Sequence, residues 1–101
     1  MSDAQITSSP WLNRFAAAAA KGDTNAVHSL GRLGVMYAEL ALEAMARLEV
    51  LGDERAMNMI GDIGIAHKDQ ALAAMCILKK SRYADAMYAI NKIATAHPEF
   101  S

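Results

Sequence analysis

The feature that most restricts what this chain can fold into is a repeat at 30-residue intervals. The stretch GDTNAVHSLGRLG, residues 22–34, returns as GDERAMNMIGDIG, residues 52–64. An ungapped alignment of 21–50 with 51–80 gives ten identical columns: Gly22/Gly52, Asp23/Asp53, Ala26/Ala56, Gly31/Gly61, Gly34/Gly64, Ala41/Ala71, Leu42/Leu72, Ala44/Ala74, Met45/Met75 and Leu48/Leu78. Val27/Met57, Leu30/Ile60, Leu33/Ile63 and Val35/Ile65 are apolar in both copies. A third copy starts on the same schedule, with Ala86, Met87, Ile90, Ile93, Ala96 and His97 repeating Ala56, Met57, Ile60, Ile63, Ala66 and His67. In the other direction Trp11, Leu12 and Phe15 fall opposite Ala41, Leu42 and Met45. A unit this short cannot bury an apolar face alone, but stacked units can, and about three are needed.

Each unit reads as two helices. In the second, Ala26, Val27, Leu30, Leu33 and Gly34 recur at helical spacing, as do their counterparts thirty and sixty residues on. Asp23 and Asp53 are suited to cap helix starts, where a carboxylate also meets the positive end of the helix dipole. Ser9 followed by Pro10 is a further start signal, and Pro98 forces His97 out of helical conformation. The spacing predicts helices over 10–20, 24–34, 38–50, 54–65, 68–80 and 84–96. Gly31, Gly34, Gly61 and Gly64 are costly inside a helix. Their recurrence reads either as close helix–helix approach or as fraying of the helix into a loop. The expected fold is all-α, a short α-solenoid of three antiparallel helix pairs in one domain over 9–101, with residues 1–8 a flexible N-terminus.

Composition narrows the function classes. The chain has 101 residues, 53% of them hydrophobic, and a formal net charge of −1. No general attraction to nucleic acid or anionic lipid follows from that balance. The apolar runs are too short to span a bilayer, and residues 1–10 lack the pattern of a signal peptide. The expected compartment is the cytoplasm. Cys76, the single cysteine, lies in the run ALAAMCIL and reads as a buried thiol packed as a small hydrophobe. His28, His67 and His97 have no ligand partners at metal spacing, and no phosphate loop or catalytic constellation is present. No cofactor, metal or enzymatic activity is expected. Lys79, Lys80 and Arg82 read as solvated charge near a helix end.

Residues 67–100 resemble a tetratricopeptide repeat: Ala74 in the first helix, Tyr83 opening the second, then Ala86, Ile90, Ile93 and Pro98 fall at that family's spacing. The 30-residue period is shorter than the family's unit of about 34, and Asp23 and Asp53 stand where Tyr83 does. HEAT-like pairs are the alternative architecture. The resemblance implies that first helices line an inner groove, which places Trp11, Ala41 and Ala71 in one row, Phe15, Met45 and Met75 in a second, and Ala18, Leu48 and Leu78 in a third. Such an apolar, Met-containing groove would suit the apolar face of an amphipathic helix.

The segment ALEAMARLEVLGDERAMNMI, residues 41–60, is similar to part of the small tetratricopeptide chaperones of type III secretion needle subunits. The matching residues are Ala41, Leu42, Leu51, Gly52, Ala56 and Ile60. That resemblance implies a chaperone sequestering an amphipathic helix of a secreted subunit, alongside a small co-chaperone. The alternative is a structural or homo-oligomeric module whose apolar rows pair with a second copy. The groove reading predicts that Glu at Met45 and Met75 abolishes partner binding and leaves the helices intact.

Overall fold

Local signals set the helix boundaries. The Asp23 carboxylate accepts from the backbone N–H groups of Asn25, at 2.9 Å, and Ala26, at 3.3 Å. The Asp53 carboxylate accepts from Ala56 N–H at 2.8 Å. Each removes an orphan donor from a helix start, a contribution of about 1 kcal/mol. At the other end Gly52 adopts φ +67° and its N–H closes onto the Leu48 carbonyl, the left-handed stop that glycine alone reaches without strain. The computed structural model describes residues 10–100. The expectations of a flexible segment over 1–8 and of a Ser9 cap lie outside the described residues. Among those described, six helices follow in order: α1 (Pro10–Ala20), α2 (Thr24–Met36), α3 (Ala38–Leu51), α4 (Glu54–Ala66), α5 (Lys68–Lys79) and α6 (Ala84–Ala96), then a 3₁₀ turn at Pro98–Phe100.

Two of the connections are single residues. Tyr37 ends α2 by donating its N–H to Leu33 and starts α3 by accepting from Leu40, at 3.0 and 2.9 Å. His67 does the same between α4 and α5, donating to Ile63 at 3.0 Å and accepting from Gln70 at 2.9 Å. One extended residue at each place turns the chain sharply, so α2 and α3, and α4 and α5, fold back on one another.

The helices lie in two layers. α1, α3 and α5 form one, α2, α4 and α6 the other, and α4 packs on all of α2, α3, α5 and α6. The radius of gyration of 12.8 Å is that of a compact chain of this length. The core runs between the layers through Leu12, Leu30, Met45, Leu48, Ile60, Ile63, Leu78 and Ile93, all fully buried. Each contributes about 1.5–3 kcal/mol relative to leaving it exposed.

The repeated glycines lie inside α2 and α4, not in loops. A Cβ added at Gly34 would sit 2.5 Å from Ile63 Cδ1 and 3.0 Å from Ala44 Cβ. At Gly64 it would meet Ala74 Cβ and Ile93 Cδ1, both at 2.8 Å. These are the same contacts displaced by thirty residues. Close approach is therefore the role of these glycines, and it offsets their cost in helix propensity. At α6 the series stops: Asn91 and Ala94 stand where Gly61 and Gly64 do, and Met87 is exposed where Met57 is buried, because no further helix among the described residues covers it.

Candidate functional site

Of the eight residues expected to line a groove, six do not line one. Ala41, Met45, Leu48, Ala71, Met75 and Leu78 are all buried, packed between the two layers. The rows are real as a pattern, but their physical role is the core: α3 and α5 turn these side chains toward α2, α4 and α6. Trp11 is exposed, and Phe15 packs against the edge of that core. Their rings stack with centroids 5.9 Å apart, Arg14 lies over Trp11 at 5.1 Å, and both rings border a shallow hollow between α1 and α2 with Asp23, Ala26 and Ser29.

α1 also departs from the aligned register. Leu12 and Ala19 are buried and Trp11 is 54% exposed, so α1 turns inward the residues one position beyond those that the 30-residue alignment selects. The cause is the connection. α1 stops at Ala20, and Lys21 and Gly22 form a turn before Asp23, whereas α3 runs to Leu51 and only Gly52 precedes Asp53. One residue is about 100° of helix rotation, enough to exchange an inward for an outward side chain. The same arithmetic corrects Cys76: adjacent to buried Met75, it is exposed on the outer side of α5. Leu42 and Leu72 are exposed on the outer layer surface as well.

Two hollows lie on the other layer. A hollow of about 420 Å³ separates α2 from α4, bordered by His28, Arg32, Val35 and Met36 on one side and Met59, Asp62, Ile65 and Ala66 on the other. A second, of about 400 Å³, separates α4 from α6, bordered by Ile65, Tyr88, Lys92, Thr95 and Ala96. Ile65 borders both, so the two hollows flank α4 and meet at that residue; together they are referred to as the trough. Its C-terminal side is apolar, from Val35 and Met36 through Ile65 and Ala66 to Ala96. Arg32, Asp62 and Lys92 form its midline; they occupy the same position in the three successive units. None of the three belongs to an ion pair among the described residues, whose pairs are Arg47–Glu43, Lys68–Glu99 and Lys80–Glu49. Lys92 instead lies over the Tyr88 ring at 5.5 Å.

Sequence reasoning missed this trough because it took the first helices as the binding layer. The signal was present in Val35/Ile65, apolar in both copies, one position beyond the close-packed glycines and hence turned outward. Among the described residues no group of three or more His, Cys, Asp or Glu could hold a metal ion, and no helix is long and apolar enough to cross a membrane. No protein-family model, no curated protein and no solved structure matches the chain.

Proposed function

We propose that this protein is a non-enzymatic, cytoplasmic adaptor or chaperone that binds an amphipathic helix of a protein partner, and that the helix lies in the trough across α2, α4 and α6. The observation that carries the reading is Ile65, shared by the two hollows, with Met36 58% exposed at one end of the apolar side. An apolar stripe flanked by unpaired charge is what a partner helix with a matching face would cover. The architecture we assign is a short α-solenoid of three helix pairs. Glycine-mediated packing draws α2, α4 and α6 together while α1, α3 and α5 meet less extensively. That favours HEAT-like over tetratricopeptide geometry. The narrower reading, a type III secretion chaperone, has the resemblance of residues 41–60 as its support, and the first-helix rows that would hold its client are occupied by the core.

The test is selection from a displayed library of amphipathic peptide helices, followed by affinity measurement on variants. Met36→Lys and Ala66→Lys place a cation at helix C-termini, where it is tolerated. Binders should weaken at least tenfold on both variants and be indifferent to Leu42→Glu and Leu72→Glu. The opposite dependence would move the site to the outer face of α3 and α5. A concentration-dependent dimer broken by Met36→Lys, with no peptide selected, would favour the homo-oligomeric module.

A further inference from the structure

The trough carries a charge sequence as well as an apolar stripe. Arg32, Asp62 and Lys92 are the central outward positions of α2, α4 and α6, giving positive, negative, positive across the layer. Their register relative to the apolar side is constant, because Val35, Ile65 and Thr95 each follow three residues later. Asp85, Arg55 and His28 stand outside that line. Asp85 accepts a hydrogen bond from the Asn58 amide at 3.2 Å, Arg55 lies two turns toward the N-terminal end of α4, and His28 lies one turn before Arg32.

Resting on the helix-binding reading, we infer that the partner helix presents acidic, basic and acidic side chains at successive seven-residue intervals, next to an apolar stripe. Packed helices are about 8–10 Å apart. Seven residues of a crossing helix advance about 10.5 Å and return to the same face. A partner crossing the layer obliquely therefore meets Arg32, Asp62 and Lys92 in turn with one side, and lays its neighbouring apolar positions on Met36, Ile65 and Ala96. The order of signs is symmetric, so it fixes the register of the partner and leaves its polarity to the apolar contacts. Opposed like charges on a wrong partner would be desolvated against one another, which is how charge patterns exclude competitors.

The experiment uses two synthetic helical peptides that share one apolar stripe. One carries Glu, Lys and Glu at seven-residue spacing beside it, the other Lys, Glu and Lys. Binding to the full chain is measured by fluorescence anisotropy at low salt. The Glu/Lys/Glu peptide should bind at least tenfold more tightly. The triple variant Arg32→Glu, Asp62→Lys, Lys92→Glu, folded by circular dichroism, should invert the preference. If both peptides bind alike and both are weakened by Met36→Lys, the charge rule is overturned while the helix-binding reading stands. If neither binds, both are overturned.

Discussion

His67 reaches from the break between α4 and α5 to the last turn of α2, where its Nε2 lies 2.8 Å from the Gly34 carbonyl oxygen. Because the carbonyl can only accept, Nε2 carries the proton. His97 repeats the arrangement thirty residues on, with Nε2 at 3.1 Å from Gly64 O and 3.0 Å from Ile65 O. The last carbonyls of a helix have no partner within it, so each histidine closes the end of a helix in the unit before its own. Replacing either histidine by Ala should destabilise the chain by about 1–2 kcal/mol, the loss of a hydrogen bond to a half-buried acceptor. The two sites share no partner, so the double variant should lose the sum within about 0.5 kcal/mol. Urea denaturation measures both.

The glycines give a prediction of sign. Gly64→Ala gains about 1 kcal/mol of helix propensity. It also drives a methyl to 2.8 Å from Ala74 Cβ, an atom with no rotamer by which to escape. Overpacking of this kind costs about 1–3 kcal/mol, so the variant should be less stable than the parent. Ala94 holds the same repeat position in α6, where no further helix among the described residues approaches, so Ala94→Gly should cost about 0.5–1 kcal/mol. Thermal or chemical melts of the two variants would show that exchanges in opposite directions are both destabilising. That outcome would distinguish packing from propensity.

Much of this fold was legible in the sequence because its boundary signals are local. Asp23, Asp53, Pro98 and Gly52 act on the backbone within a few residues of themselves, and the predicted helix ends fall within two residues of those observed. The site was not legible by the same means. Which side of α3 faces the core is decided by α2 and α4, not by α3. In an apolar run such as ALAAMCIL every side looks equally suited to burial, so Met75 and Cys76 could not be told apart.

The burial of Met45 reverses the expectation attached to a first-helix groove. Met45→Glu places a carboxylate where no solvent reaches it. The cost should be at least about 4 kcal/mol, a large share of the stability of a domain this size. The variant should lose its cooperative melt. Met36→Lys, at an exposed helix end, should melt within about 0.5 kcal/mol of the parent. Circular dichroism melts of the two would separate core from surface.

The C-terminal turn has its own pH dependence. The hydrogen bond from Lys68 holds the Glu99 carboxyl below its ordinary value, and the same bond raises Lys68 above its own. For Glu99 the stabilisation is present above the unfolded pKa, about 4.3, and is lost as pH falls through the lower folded value. For Lys68 it is present below the unfolded pKa, about 10.4, and is lost as pH rises through the higher folded one. Phe100, which packs on the core and edge-on to His97 at 6.2 Å, reports the docking of the turn. Its NMR ring shifts should move toward unfolded values at both pH extremes. Lys68→Met should remove both steps attributable to the pair.

Finally, the rotation of α1 can be read from two adjacent residues. Had α1 kept the aligned register, Trp11 would be a core residue and Leu12 a surface one. The structure has Leu12 fully buried and Trp11 half exposed, lying against Phe15 and Arg14. Leu12→Ala should therefore cost about 2–4 kcal/mol, the transfer of a leucine side chain plus the cavity it leaves. Trp11→Ala should cost about 1 kcal/mol, the loss of an exposed aromatic stack and a cation–π contact. The larger residue is thus predicted to matter less, an ordering that composition or hydrophobicity would invert. Urea titration of the two variants measures that ordering.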